Sequence, residues 1–304
     1  MGATWRALRG EIAATLAAGG VENAASEARF MVEEASGFGA TEWSEAIDVV
    51  APARAEARLF DMCARRLRGE PLQYVLGAWS FRGLDLMVDR RVLIPRPETE
   101  WVVEVALEEA ARLGFRRSRR RPGIPVEARA RAVDLGTGSG AIALALEAEL
   151  PEFEVWATDA SEDALAVASA NIAGCGATRV RVASGRWFGA LPAARRGQLA
   201  LVVTNPPYIA TDEVPELPPA VIDYEPRAAL VSGASGLEAL TEVIGAAPDW
   251  LAPEAALVCE IAPHQAAAVV ELARAAGFHD PFVRPDLTGR PRVLVARRGS
   301  GGPG

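Results

Sequence analysis

The sequence predicts an α/β protein: a parallel sheet with helices on both faces, preceded by a small N-terminal helical bundle and joined to it by a β-hairpin. Three observations carry this. From about residue 130 short apolar runs alternate with helical patterns, as in a parallel sheet built from crossover units. In the first seventy residues the apolar positions recur at helical spacing, as an amphipathic bundle requires. Between Trp79 and Val88 the period changes to two, the spacing of a half-buried strand pair.

In the bundle, Trp5, Leu8, Ile12 and Leu16 share one helix face, as do Ala28, Met31, Val32 and Ala35 in the next segment, and such stripes read as core. Gly19-Gly20 and Gly37 to Gly39 break the helices. A third helix is expected from about Pro52 to Leu67, because proline in a first turn has no intrahelical N–H bond to lose. Trp79, Phe81, Leu84, Leu86 and Val88 alternate around Gly83 and form the hairpin. A further helix starts at Pro97, where acidic residues follow and complement the positive helix terminus. It runs to about Leu113. The basic stretch Arg116 to Arg121, closed by Pro122-Gly123, reads as a solvated loop, with a protein- or RNA-docking patch as the alternative.

The α/β part then opens with a strand at Ala132–Leu135 and a helix at Ala141–Leu150. A second strand at Glu154–Thr158 and a second helix at Ala164–Ile172 follow. Val180–Val182, Leu199–Val203, Ala256–Glu260 and Val293–Ala296 complete the strands. The expected organisation is a helical domain over 1–76, a hairpin linker over 77–92, a sheet domain over 93–298 and a tail without fixed structure over 299–304.

Composition narrows the function. The net charge of -8 argues against nucleic acid as the main partner, because phosphate binding is carried by a basic surface. Cys63, Cys175 and Cys259 are far apart, with only His264 and His279 beside them, so neither a metal site nor a disulfide framework is expected. Arg6, Arg9 and Glu11 interrupt the first apolar residues, and no run reaches membrane-spanning length. A cytoplasmic, monomeric protein with no membrane partner is expected.

The first strand runs into Gly136-Thr137-Gly138-Ser139-Gly140 and then a helix. Glycines at alternate positions let the backbone turn sharply and approach a ligand without a Cβ in the way. The G-x-G-x-G spacing differs from the G-x-G-x-x-G that seats a pyrophosphate. It favours a ligand without phosphates, such as S-adenosyl-L-methionine, with Gly136 to Gly140 as contacts. Asp159 ends the second strand about nineteen residues beyond Gly140, where a carboxylate can accept ribose hydroxyls. It suits a nicotinamide dinucleotide equally well, and an aspartate there could instead cap the following helix.

A β-branched strand next delivers Asn205-Pro206-Pro207-Tyr208 to the carboxyl edge of the sheet, where ligands bind in such folds. The two prolines stiffen the backbone and remove two donors. Asn205 and the Pro206 carbonyl can then accept the two hydrogens of a planar amide or amine, while Tyr208 supplies an aromatic face that also favours a sulfonium. An amide nitrogen is a poor nucleophile because its lone pair is delocalised. Two acceptors that hold its hydrogens favour a geometry that localises the pair and aim it at an electrophilic methyl. Asn205, Pro206 and Tyr208 are thus the candidate catalytic groups, and Asn205 to Tyr208 the candidate substrate grip.

With these motifs the chain resembles the PrmC/HemK family of protein-(glutamine-N5) methyltransferases from roughly Arg65 to Arg297. Gly69-Glu70-Pro71-Leu72-Gln73-Tyr74, Leu93-Ile94-Pro95-Arg96-Pro97-Glu98-Thr99-Glu100, Asp134 to Gly140, Trp187-Phe188, Asn205 to Tyr208 and Tyr224-Glu225-Pro226 carry the likeness. The Ile-Pro-Arg-Pro-Glu-Thr-Glu run is the specific piece. The resemblance implies a Rossmann-like class I S-adenosylmethionine-dependent methyltransferase sheet. It implies cofactor contacts at Gly136 to Gly140, Asp159, Trp187 and Asn205, with S-adenosyl-L-homocysteine as product. The implied substrate is the Gly-Gly-Gln glutamine of class 1 peptide chain release factors, recognised with help from the N-terminal helices. Arg96 and Glu98 would border the pocket, with Glu225 and Arg227 on the wall opposite.

The chain departs from the family after Glu260-Ile261, where Ala262-Pro263-His264-Gln265 replaces the usual glycine. The competing readings are an adenine-N6 nucleic-acid methyltransferase, which meets the same planar-nitrogen problem, and a non-catalytic cofactor-binding module of the translation machinery. The Pro-rich segment Ile209 to Gly236 can be either a closing lid or a static wall.

Overall fold

The computed structural model describes residues 2–38, 42, 46–118, 125 and 128–301. Gly39 of the second helix break, Arg119 to Gly123 of the basic stretch and the last three residues of the tail lie outside the described residues. The chain forms two compact units. One is Met1–Ala78 with Pro218–Tyr224, the other Trp79–Leu217 with Glu225–Gly304.

The first unit is helical. Thr4 accepts from Ala7 N at 3.3 Å and caps helix Trp5–Ala18. Its buried stripe, Trp5, Leu8, Ile12 and Leu16, packs with Ala28, Met31 and Val32 of helix Ala24–Ser36 and with Leu59, Met62 and Cys63 of helix Ala53–Leu67. Each leucine or isoleucine so buried contributes about 1.5–3 kcal/mol. Pro52 sits one position before the third helix, in an extended conformation (ψ 138°), rather than inside its first turn.

Two helices of this unit escaped the sequence reading, Leu72–Leu76 and the distant Pro219–Tyr224. Both follow prolines and are too short to show a period. Arg65 ties the first in place by donating to Glu70 Oε1 and to the Tyr74 carbonyl, each at 2.8 Å. Glu70 is buried. The second is held by the Tyr224 hydroxyl, which donates to the Arg68 carbonyl at 2.9 Å.

A hairpin follows at the start of the second unit, β1 (Ala78–Phe81, its first residue still in the first unit) and β2 (Leu84–Met87). Arg82 and Gly83 turn it with φ of 50° and 77°, the conformation of a tight two-residue hairpin loop. Asn171 holds β2 to the rest of the unit: it accepts from Met87 N at 2.7 Å and donates to the carbonyls of Met87 and Ser139 at 3.0 and 2.8 Å.

The main sheet comprises β3 (Ala130–Leu135), β4 (Phe153–Asp159), β5 (Val180–Ser184), β6 (Leu199–Thr204), β7 (Leu251–Glu260), β8 (His279–Pro285) and β9 (Pro291–Arg297). Their spatial order is β5-β4-β3-β6-β7-β9-β8. The sheet is parallel only from β5 to β7, since β9 runs antiparallel to both β7 and β8. The expectation of a parallel sheet is corrected there, and β8 is a strand the sequence did not reveal. Pro281 and Pro285 hide its pattern, and both are tolerated because β8 lies at the sheet edge.

Strand residues alternate between two cores. Leu201, Val203, Ala256 and Val258 pack with Val102, Val103 and Ala106 of helix Pro97–Arg112 and with Ile142 and Leu146 of helix Ala141–Glu149. Val202, Leu257 and Cys259 pack on the other face with Leu240, Val243 and Val269 of helices Glu238–Ala246 and Ala266–Ala275. Burial on both faces explains why these strands read as unbroken apolar runs. Among the described residues no helix is long and apolar enough to cross a membrane.

Candidate active site

The strand order locates the site. β3 pairs with β4 on one side and β6 on the other, so the chain reverses its direction of travel across the sheet between them. At such a switch point the loops beyond the carboxyl ends part and leave a crevice. Leu135 and Thr204 are register partners. The glycine turn after β3 and Asn205 after β6 therefore leave the sheet side by side.

Gly136, Gly138 and Gly140 have φ of 73°, 55° and 85°, a region that side chains with a Cβ enter only with strain. Gly136 N and Thr137 N donate to the Thr158 carbonyl at 2.8 Å each, and Gly138 N donates to Asp159 Oδ2 at 3.0 Å. A Cβ on Gly136 would stand 3.4 Å from the Trp187 ring, whereas one on Gly138 would meet nothing within 4 Å. The turn is pinned on β4 and opens at Gly138 into the crevice. Thr137 and Ser139 are buried behind it. Thr137 Oγ1 donates to Asp134 Oδ2 at 2.6 Å, and the Ser139 carbonyl accepts from Asn171.

Asp134 is wholly buried. Desolvation pushes its carboxyl up to about 7, against the pull of the Thr137 and Ala143 donors. The folded carboxyl thus holds its proton more tightly than an unfolded one. The stabilisation this gives is fully present below about pH 4, the range of a free aspartate, and is lost as pH rises towards 7. At 1.36 kcal/mol per pH unit the change amounts to about 4 kcal/mol at most. Both donors reach Oδ2, so an asparagine can receive them with its one oxygen. Asp134→Asn should flatten the fall in melting temperature between about pH 4 and 7; an unaltered slope would assign that dependence to another group.

Asp159 ends β4 and does not cap the next helix. Ser161 does, accepting from Ala164 N at 3.2 Å. Asp159 instead receives Gly138 N on one oxygen and Ser161 N, at 2.9 Å, on the other. Each oxygen keeps a lone pair for a further donor. Trp187 has φ of 47° and donates from Nε1 to Glu242 Oε2 at 2.9 Å. Glu242 also holds Arg186, whose guanidinium stands 5.7 Å from the indole. The indole is thus fixed beside the glycine turn.

Beyond β6, Asn205 Nδ2 donates to Thr99 Oγ1 at 3.1 Å, and Thr99 Oγ1 donates to Glu260 Oε2 at 2.7 Å. Tyr208 donates its hydroxyl to the other oxygen of Glu260 at 3.3 Å. Burial pushes the Glu260 carboxyl up, while the Thr99 bond and the charge of Arg292 pull it down. Burial and Glu260 push the Tyr208 hydroxyl up. Gln265 Nε2 donates to the carbonyls of Tyr208 and Gly236 at 2.9 and 3.1 Å. The loop after β7 thus supplies a clamp on the Tyr208 backbone.

One cleft of about 660 Å³ unites the two ends, within the range of about 300–1,000 Å³ usual for small-molecule sites. Gly136, Gly138, Asp159, Trp187, Asn205 and Pro207 line it. Thr137, Ser139, Gly140, Pro206 and Tyr208 are not among its lining. Leu93 and residues of 226–239, among them Ala229, Val231 and Gly233, form a further wall. Arg96 donates to Glu225 Oε1 at 2.5 Å; burial pushes the Glu225 carboxyl up and Arg96 holds it down. Arg227 is exposed and Glu98 half-buried, and neither lines the cleft. Sequence reasoning gave no separate role to Thr99, Glu260, Glu242 or Gln265, whose significance depends on partners far along the chain.

Comparison with known proteins gives concordant results. The family model for the PrmC N-terminal domain matches residues 7–77, and that for the methyltransferase small domain matches residues 122–222. The chain is 37% identical to a release factor glutamine methyltransferase of Cereibacter sphaeroides, over 93% of this chain and 94% of the relative. It is 42% identical to one of Bordetella pertussis (88% and 92%) and 40% identical to one of Moorella thermoacetica (97% and 99%). Among solved structures, the hMettl16 catalytic domain in complex with the MAT2A 3′UTR hairpin 6 superposes with a TM-score of 0.53 at 15% identity, covering 90% of this chain and 93% of that one. That likeness concerns the fold alone.

Proposed function

This chain belongs to the family of release factor glutamine methyltransferases, and from that premise we propose that it transfers the methyl group of S-adenosyl-L-methionine to the side-chain amide nitrogen (N5) of the Gly-Gly-Gln glutamine in class 1 release factors. The observation that carries the reading is that one cleft is lined by Gly136 and Gly138 at one end and by Asn205 and Pro207 at the other. A donor and an acceptor can be held in contact there.

The cleft fits the donor. Gly138 opens on free space, Asp159 keeps lone pairs for hydroxyls and Trp187 offers a ring face beside the turn. S-adenosyl-L-methionine supplies an electrophilic methyl group on a sulfonium when bound. The chain's own contribution is positional. Among the described residues nothing donates to Asn205 Oδ1 or to the Pro206 carbonyl. These two acceptors are available for the two hydrogens of a substrate amide. Held so, the nitrogen is aimed and its lone pair is drawn out of conjugation. Orientation of this kind lowers a barrier by up to about 7–11 kcal/mol in well-aligned systems. Asn205 is no base, so the surplus proton passes from the methylated amide to water, and S-adenosyl-L-homocysteine is released.

The test is transfer of label from S-adenosyl-L-methionine to a purified release factor, beside a release factor whose Gly-Gly-Gln glutamine is replaced and beside adenine-containing DNA. Label on the intact release factor alone is the expected result. Label on DNA with none on the release factor would establish the adenine-N6 reading instead.

A further inference from the structure

We propose that Glu260 and Thr99 are positioning residues that set which end of the Asn205 side-chain amide faces the substrate. The inference deepens the glutamine-methylation reading and rests on it for its catalytic consequence. An asparagine amide has a donor end and an acceptor end of nearly the same shape. Only the acceptor end can receive an amide hydrogen of the substrate; the donor end would face it N–H to N–H. A fixed partner behind Asn205 is therefore required, and Thr99 occupies that place at 3.1 Å from Nδ2.

A hydroxyl can donate or accept, so Thr99 alone would not decide the orientation. Glu260 decides it. Its Oε2 accepts from Thr99 Oγ1 at 2.7 Å. The single hydroxyl hydrogen of Thr99 is committed to Glu260, which leaves Thr99 able only to accept from Asn205. The other carboxylate oxygen takes the Tyr208 hydroxyl at 3.3 Å, so one buried group orients both the amide and the ring of Asn205–Tyr208. Glu260 is 1% exposed; burial raises its carboxyl, against the pull of the Thr99 bond and the charge of Arg292. The four partners come from the first turn of helix Pro97–Arg112, the end of β6, the loop beyond it and the end of β7. A buried acid that only filled space would not need both its oxygens paired to neighbours of the substrate acceptor.

Thr99→Val keeps the shape and removes the acceptor, while Thr99→Ser keeps the hydroxyl. Two readouts on the full-length protein test the chain of bonds. In steady-state methylation of a release factor, Thr99→Val should lower kcat roughly 10- to 100-fold, with the dissociation constant for S-adenosyl-L-methionine unchanged, and Thr99→Ser should restore kcat. In 15N NMR the side-chain amide of Asn205 is identified by its loss in Asn205→Ala. Its slower hydrogen should exchange with solvent about tenfold faster in Thr99→Val. Unchanged exchange overturns the proposal whatever the kinetics, and faster exchange with a wild-type kcat overturns the role in positioning. If the wild-type protein labels no release factor, the function reading fails, yet the exchange measurement still decides whether Thr99 fixes the amide.

Discussion

Asn205→Ala should lower methyl transfer to the release factor by about a thousandfold. Removal of a preorganised group from a reacting centre typically costs 10²- to 10³-fold, and here the loss is compounded. The alanine removes the Oδ1 acceptor offered to the substrate amide and also deprives Thr99 of the donor at 3.1 Å. The Pro206 carbonyl alone cannot fix the plane of the amide, so the nitrogen loses its aim as well as one of its two contacts. Stability should change little, by about 1 kcal/mol, because Asn205 is only partly buried and its lost bond is a neutral one. Single-turnover transfer measured beside a thermal melt separates the two effects. Transfer within tenfold of wild type would mean that the substrate amide is held elsewhere.

Gly236→Ala should have the second largest effect, and it acts without touching the substrate. Gly236 has φ of 73°, and a Cβ there would stand 2.6 Å from the Tyr208 carbonyl and 3.1 Å from both Ala210 N and Gln265 Nε2. Two of these neighbours are backbone, so they cannot yield by a side-chain rotation. Relief requires the segment carrying Tyr208 to move away, which breaks the Gln265 bonds to the Tyr208 and Gly236 carbonyls at 2.9 and 3.1 Å. Strain in the left-handed region, overpacking and the lost bonds together should cost about 4 kcal/mol. Displacement of the Asn205–Tyr208 loop by a fraction of an ångström to one ångström should reduce transfer by about 100-fold. Gly37→Ala is the control: φ is 72° but nothing lies within 4 Å of the added carbon. It should cost about 1 kcal/mol and leave transfer unchanged. Equal losses from both variants would show that backbone conformation, and not contact with Tyr208, makes the glycine necessary.

The two motifs that identify the protein were legible because each is contiguous. A strand followed by Gly136 to Gly140, and a β-branched strand followed by Asn205 to Tyr208, state their local geometry in a few neighbouring residues. The helical bundle was legible for a related reason, since Trp5, Leu8, Ile12 and Leu16 repeat a period that only a helix buries on one side. β8 was not, because its prolines are tolerated only at an edge and nothing local marks a strand as an edge. The helix Pro219–Tyr224 was missed because its place in the first unit comes from contacts made across the chain.

The site divides along the same line. Local sequence determined which backbone could turn at Gly138, which residue types could grip a planar amide and which family the chain resembles. Tertiary structure alone decided that Asp159 receives Gly138 N at the edge of the cleft, and that Glu242 fixes the Trp187 indole. It alone joined Thr99, Asn205 and Glu260, which are separated by 106 and 161 positions along their two bonds. The physical reason is that a hydrogen bond between two elements depends on which strand ends are neighbours in space. Here that is set by the order β3-β6-β7 in the sheet, which places β6 beside β3 although two strands intervene along the chain.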